Sequence, residues 1–248
     1  MVSIVICTLN EESYLPKLLD SIRIQKGYKY EIVISDAGSD DKTAEVAERY
    51  KTEFGLPINF IALENLRNIS LQRNIGADNA QYEHLLFLDA DVVLPNENFL
   101  KTAMDEILKK GIKVGGSKIY AAEKKRYYRF LYWAYSNIYL TVLRWFKPAV
   151  HGCCIFSTKE IHYKIGGFNN GIIFEDYKYG VDAAPYYRSK LIKSTYVKTS
   201  ARRFYNATFR SVTELFFAGI YSLFRAGIKG KYMKGYFKLT GKHSKPQY

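Results

Sequence analysis

Along the first half of the chain, short apolar runs alternate with amphipathic stretches. VSIVICTL is a continuous apolar run rich in β-branched residues, and LPKLLDSI after it has helical spacing. YEIVISDA predicts a second strand, and SDDKTAEVAERYK a helix with Ser39 or Asp40 as its N-cap. INFIALE and SLQRNIGADNA repeat the pair. HLLFLDADVVL, residues 84–94, predicts a fourth strand, NENFLKTAMDEILKKG a helix and KVGGSKIY another strand. Strands alternating with helices at this spacing predict an α/β fold with a mostly parallel sheet flanked by crossover helices.

One of these strands is anomalous. HLLFLDADVVL is mostly Leu, Phe and Val, yet it carries Asp89 and Asp91 two positions apart. Desolvating two carboxylates is costly unless a cation compensates. In open α/β sheets, ligands sit beyond the carboxyl ends of the strands. Thr8, Asn10 and Glu11 follow the first strand, Asp36 ends the second, and Asp89 and Asp91 end the fourth. Carboxylates gathered at one sheet edge form a candidate site. The alternative for the Asp89–Asp91 pair is a solvated strand end before the turn at Pro95.

The chain has 248 residues, 48% hydrophobic and 25% charged, enough for one large globular domain with an appendage. Cys7, Cys153 and Cys154 show no disulfide or zinc spacing and are expected to be reduced core residues of a cytosolic compartment. The first strand follows Met1 directly, so no signal peptide is expected, and no apolar stretch is long enough to predict a spanning helix.

The ordered set VSIVICTLNEESYLPKLLDSI, YEIVISDAGSDDKT, QRNIGADNA and LLFLDADVVL resembles the family 2 glycosyltransferases, which have the GT-A fold. The later run HGCCIFSTKEIHYKIGGFNNGIIFEDYKYG resembles that family's acceptor half, so the likeness spans roughly residues 1 to 203. It implies a nucleotide-sugar donor and Mn²⁺ or Mg²⁺, a Lewis acid for the departing diphosphate. Asp89-Ala90-Asp91 matches the DxD motif, with Asp91 as direct metal ligand and Asp89 nearer the ribose or the metal. Asp36 matches the first Asp of a DDGS motif whose second Asp is Ala37 here. Thr8, Asn10 and Glu11 resemble the nucleotide-contacting loop, and Arg73-Asn74 the Arg-Asn pair of the nucleotide-sugar site, with Arg73 expected to reach a phosphate bidentately and a salt bridge on a helix face as the alternative. Glu175-Asp176 matches the ED motif, which implies Asp176 as general base and Glu175 as its orienting partner. His151 and Gly152, and Arg202 with Arg203, are further candidates for contacts to an acceptor or a diphosphate. For the two arginines, plain surface solvation is equally open.

The net charge of +13 is concentrated in two segments. Residues 124–147 carry six basic and no acidic side chains; residues 209–248 carry eight basic and one acidic. Both are rich in aromatics. On a helix, Arg126, Arg129, Ser136, Asn137, Thr141, Arg144 and Lys147 fall within an arc of roughly 140°, leaving a wide apolar face. That pattern predicts a helix at an anionic membrane interface, with a core or dimer helix as the alternative. Nucleic acid is not the expected partner of either segment, since no nucleic-acid fold accompanies them.

Together these readings predict a GT-A domain over residues 1–208, with an amphipathic insertion at 125–147. Amphipathic basic helices follow over 209–248. The expected activity is an inverting, metal-dependent transfer of a hexose, with GDP-mannose the first donor considered. The acceptor would be lipid-linked, a polyprenyl phosphate or a lipid-linked sugar, at the cytoplasmic face of the cell membrane and bound peripherally. A metal-dependent nucleotidyltransferase or a non-catalytic nucleotide-sugar binding protein are the other classes left open.

Overall fold

The computed structural model describes residues 1–64, 66–139, 150–202 and 228–229. Residues 140–147 of the aromatic segment, most of the basic segment 209–248, and Arg203 lie outside the described residues. The strands are β1 (Val2–Thr8), β2 (Tyr30–Asp36), β3 (Ile58–Ala62), β4 (His84–Asp89), β5 (Val92–Val93), β6 (Val114–Ala121), β7 (Cys154–Thr158), β8 (Ile172–Ile173), β9 (Lys190–Thr199) and β10 (Ile228–Lys229). The helices are α1 (Leu15–Arg23), α2 (Thr43–Thr52), α3 (Ile69–Asp78), α4 (Phe99–Lys110), α5 (Arg126–Ala134), α6 (Lys159–Lys164) and α7 (Glu175–Ala183). A π turn at Tyr135–Tyr139 continues α5.

Eight strands form one sheet in the order β3-β2-β1-β4-β7-β6-β9-β5. The first four are mutually parallel, and β6 is parallel to β9. β7 runs antiparallel to both β4 and β6, and β5 antiparallel to β9. Both faces are covered, as crossover helices require. On β1, Ile4 and Ile6 join the cluster containing Leu18, Ile22 and Met104, while Val5 joins Phe87, Phe168 and Tyr179. Alternation along β4 is the same, with Leu86 and Leu88 on one side and Leu85 and Phe87 on the other.

Two local outcomes differ from the sequence reading, and both shape the site. The fourth apolar run is not one strand: β4 stops at Asp89, and Val92–Val93 pairs instead with Lys198–Thr199 of β9. The chain turns at Ala90–Asp91 because the two ends of the run are claimed by different partners. The second difference is that α2 begins at Thr43, behind Lys42, and not at Ser39 or Asp40. Ser39 is used elsewhere: its hydroxyl and backbone N–H both donate to Asp36, at 2.6 and 2.8 Å.

Helix α5 packs a polar and aromatic face inward. Tyr128 is buried, Tyr132 donates its hydroxyl to the Ser200 carbonyl at 3.2 Å, and Ser136 bonds the backbone of Ile119. Asn137 accepts from Lys118 Nζ at 2.8 Å. Ser136 and Asn137 thus turn toward β6, away from the solvent arc expected of them, because β6 offers them partners. The outward face carries Tyr127, Phe130 and Trp133, exposed at 53, 63 and 48%, with Arg126 and Arg129 also exposed.

Candidate active site

The carboxyl ends of β1, β2 and β4 meet at one edge, because Thr8 pairs with Asp36 and Cys7 with Asp89 in the two parallel ladders. The loops beyond them are pinned to each other. Asn10, held at φ 56° in the left-handed region, donates its N–H to Ser39 Oγ at 2.9 Å and accepts from Asp40 N–H at 3.0 Å. Glu11 N–H donates to Thr43 Oγ1 at 2.8 Å. Thr8 Oγ1 donates to Asp36 Oδ1 at 2.7 Å, and Gly38 and Ser39 N–H close on Asp36 Oδ2. A non-glycine residue held at positive φ signals a loop over-determined by its surroundings.

Behind the loops, Gln72 of α3 donates to the carbonyls of Thr8 and Ser35, both at 2.9 Å. This fixes the spacing of the β1 and β2 ends. The sequence assigns Gln72 no role beyond its place at the head of QRNIGADNA, since its partners are backbone atoms 64 and 37 positions away.

Next to it, Arg73 organises the floor of the site. Its guanidinium is 3% exposed and donates to Glu175 Oε1 at 2.6 Å, Asp89 Oδ1 at 3.0 Å and the Gly152 carbonyl at 3.1 Å. Its central carbon lies 5.1 Å from the Phe168 ring centroid. Burial alone works against that charge, but Glu175 and Asp89 outweigh it and hold the arginine protonated. Cys7 sits beneath the same group, its thiol pushed up to about 12 by burial. Arg73, Asp89 and Glu175 therefore form a buried ion-pair network in place of a surface salt bridge.

Asp176 and Gly152 complete the floor. Asp176 Oδ2 accepts from Gly152 N–H at 2.6 Å, and Oδ1 from Tyr177 N–H at 2.7 Å. Burial raises the pKa of both Asp176 and Glu175, against the lowering influence of Arg73. The close approach needs glycine: a Cβ on residue 152 would stand 3.1 Å from Asp176 Oδ2 and 3.2 Å from Arg73 Nη2. Phe174, immediately before the pair, is the other non-glycine residue at positive φ among the described residues, at 65°. His151 directs its ring to Tyr135, at 5.1 Å between centroids, and its Nδ1 accepts from Cys153 N–H at 3.4 Å.

Asn74 faces the other way. Its amide donates to the Phe168 carbonyl at 2.9 Å and its oxygen accepts from Phe168 N–H at 2.8 Å. Gly167, at φ +73°, leaves room for it, since a Cβ there would lie 2.5 Å from Asn74 Oδ1. Asn74 thus holds the loop that carries Phe168 over Arg73. Beneath Phe168 lies a layer of aromatic rings, Phe87, His162 and Tyr179. His162 Nδ1 and Ser157 Oγ both bond the Tyr179 hydroxyl, at 3.1 and 2.7 Å. Burial pulls the His162 pKa down to about 4.

At the mouth, Asp91 and Glu11 converge on Arg202. Arg202 Nη1 and Nη2 donate to the two Glu11 carboxylate oxygens at 2.8 and 2.5 Å, and Nε pairs with Asp91 Oδ2 at 3.0 Å. Asp91 Oδ1 also accepts from Thr199 Oγ1 at 3.3 Å, and its carbonyl from Ser200 N–H at 3.2 Å. Burial raises the Glu11 pKa despite the Arg202 fork, and Asp91 and Asp89 add to the rise. The small Ala90 between the two aspartates is buried.

Of the residues singled out in the sequence, one group comprises Arg73, Asp89, Gly152, Glu175 and Asp176. A second comprises Glu11, Asp91 and Arg202, and a third Thr8, Asn10 and Asp36. Asn74 and His151 border the site with their polar atoms on neighbouring loops.

Residues 3–166 match the family described as glycosyl transferase family 2. The chain belongs to that family. A relative from Staphylococcus haemolyticus, 4,4'-diaponeurosporenoate glycosyltransferase, is 35% identical over 104 residues, 40% of this chain and 26% of its own length. The matched part of this chain thus spans about a quarter of that relative. Among solved structures, the mannosyltransferase PcManGT from Pyrobaculum calidifontis, in complex with GDP-Man and Mn²⁺, has a TM-score of 0.69 at 18% identity. That match covers 96% of this chain and 68% of the other. S. aureus TarS 1-349 in complex with UDP-GlcNAc has a TM-score of 0.63 at 20% identity, covering 81% of this chain and 58% of the other. Both share the fold of this chain.

Proposed function

We propose that this chain is an inverting, metal-dependent glycosyltransferase that moves a hexose from a nucleotide sugar to a lipid-linked acceptor at a membrane surface. The observation that carries the reading is that Asp36 and Asp89 end the strands on either side of β1, with Glu11 and Asp91 drawn together around Arg202 in the loops beyond that edge. Oxygen donors alone suit Mg²⁺ or Mn²⁺. The pairing of the Glu11 and Asp91 oxygens with the guanidinium of Arg202 supports the fit of a cation. Among the described residues no three acidic, His or Cys side chains cluster as a complete metal cage. Asp91 would therefore hold the ion with help from the donor's own phosphates. Bound there, the ion supplies Lewis-acid stabilisation of the departing diphosphate.

The residues of the chain divide the remaining work. The pinned loops at Thr8–Glu11 and Asp36–Ser39 shape the nucleotide pocket. Arg73 holds Asp89 and Glu175 in place. Asp176 is fixed by two backbone amides and raised by burial, which suits a general base. It accepts the proton of an acceptor hydroxyl as that oxygen attacks the anomeric carbon, and the bond to the diphosphate breaks on the opposite face. An acceptor that is already an ionised phosphate needs no such base.

The acceptor reading rests on α5. Its outward face presents Tyr127, Phe130 and Trp133 flanked by Arg126 and Arg129, the composition of an interfacial helix. The turn that follows α5 reaches the site through the Tyr135–His151 contact. A lipid surface met by α5 would thus lie on the His151 side of the site, and the attachment proposed is peripheral, at the cytoplasmic face. Among the described residues no helix is long and apolar enough to cross a membrane.

The test incubates the protein with GDP-mannose or UDP-linked sugars, Mn²⁺ or Mg²⁺, and anionic vesicles containing polyprenyl phosphate or a lipid-linked sugar. Release of a nucleoside diphosphate that depends on the lipid acceptor supports the reading. Pyrophosphate release would replace it with nucleotidyl transfer, and nucleotide binding without any turnover would replace it with a binding role.

A further inference from the structure

Arg202 lies between two of the carboxylates assigned above to the donor site. Its three nitrogens are taken up by two carboxylates from separate loops: Glu11 beyond β1 is forked at 2.8 and 2.5 Å, and Asp91 beyond β4 is paired at 3.0 Å. The guanidinium also stacks over Tyr14, its central carbon 4.5 Å from the ring centroid. The segment leading to it is fastened to the same aspartate through Thr199 Oγ1 and Ser200 N–H. In contrast to Arg73, it is 32% exposed.

We infer that Arg202 is a positioning residue that serves as the built-in counter-ion of the Glu11–Asp91 pair and withholds that pair from metal until a nucleotide diphosphate gives the arginine another partner. The inference rests on the donor-site reading above. Two carboxylates and one guanidinium leave a net charge of about −1, and a divalent ion entering beside the arginine would meet a like charge at close range. The pair therefore accepts one cation or the other. A diphosphate is a forked acceptor for which arginine is well shaped. With nucleotide present, Arg202 has phosphate oxygens to turn to, and Glu11 and Asp91 become available. Metal and nucleotide thus enter as a unit, and Arg202 sets that dependence.

The experiment titrates Mn²⁺ alone, with no nucleotide, into the full-length protein and Arg202→Gln, followed by electron paramagnetic resonance of free Mn²⁺. Wild type is expected to bind weakly. The variant is expected to bind about tenfold more tightly, within the range of a coupling between neighbouring sites. The double variant Arg202→Gln/Asp91→Asn is expected to lose the gain. An Arg202→Gln affinity equal to or weaker than wild type overturns the inference. Should Arg202→Gln fail to fold, Arg202→Lys takes its place. A single ammonium cannot fork Glu11 while holding Asp91, so a smaller gain is expected, and no gain overturns it equally. Donor binding is absent from this titration, so a chain that binds no nucleotide would refute the functional reading without touching this result.

Discussion

The site contains two arginine clusters of opposite character. Arg73 is 3% exposed, bonded to Glu175, Asp89 and a backbone carbonyl and covered by Phe168. Arg202 is 32% exposed and bonded to Glu11 and Asp91 at the mouth. Each neutralises one aspartate of the Asp89–Asp91 pair. The difference lies in what surrounds them. Arg73 is framed by α3, β4, the Gly152 turn and α7, and its charge has no water to return to. Arg202 lies over Tyr14 and is about a third exposed. A buried ion pair punishes removal of one partner, whereas an exposed one is screened. Arg73 is therefore framework and Arg202 an exchangeable part.

The most severe challenge to this contrast is Arg73→Met. Removing the cation strands Glu175 and Asp89 in the interior, and urea unfolding is expected to show a loss of about 3–5 kcal/mol. A loss no larger than that of Arg202→Gln would erase the distinction. Second comes Asp176→Asn, which keeps the side chain's size while removing the proposed base. Turnover with a hydroxyl acceptor is expected to fall about 10²-fold, beside a stability loss of about 1–3 kcal/mol, because an amide group can accept from only one of the Gly152 and Tyr177 N–H groups. The base works ionised, so activity is lost as pH falls through its pKa. Because burial raises that pKa, the acid limb should lie above the usual carboxylate range in a pH–rate profile.

Asn74→Ala tests whether the floor depends on the loop above it. Phe168 would lose both backbone partners and its seat over Arg73, for a loss of about 2 kcal/mol in denaturant titration. A variant as stable as wild type would separate that loop from the arginine. His162, under Phe168, offers a pH reading of the same region. Its folded pKa of about 4 lies below the ordinary 6.5 because of burial. The unfolded chain therefore binds a proton first, and stability is complete above pH 6.5 and lost as pH falls toward 4. Unfolding at pH 7 and pH 5 should differ by about 2 kcal/mol from this group, and His162→Gln should flatten that slope. The smallest effect belongs to Arg202→Gln, about 1 kcal/mol in the same urea assay.

Much of the first half was legible in the sequence, because each strand–helix pair there is written locally. The residues that meet at the carboxyl edge of the sheet were legible too, as short ordered motifs. What could not be read were pairings set by distant partners. Nothing inside HLLFLDADVVL announces that its last two valines belong to β9, which pairs with them more than 100 positions later. The antiparallel course of β7 beside β4 depends equally on a remote edge. Glu11 and Arg202 meet across 191 positions, so the cation answering Asp91 could not be identified from its neighbours. Asn74 was legible as a polar residue at the right place, but its orientation is decided by the backbone of Phe168. The polar residues Ser136 and Asn137 likewise follow β6 and not the helix periodicity alone.

The account turns on Asp91 as part of a nucleotide site that works with a cation. Calorimetric titration of GDP and of UDP, each with and without Mn²⁺, into wild type and Asp91→Asn tests this most directly. The expected result is Mn²⁺-dependent binding of a nucleoside diphosphate by the wild type that disappears in the variant. Binding of equal strength in both proteins, or no binding of either nucleotide by the wild type, would contradict it.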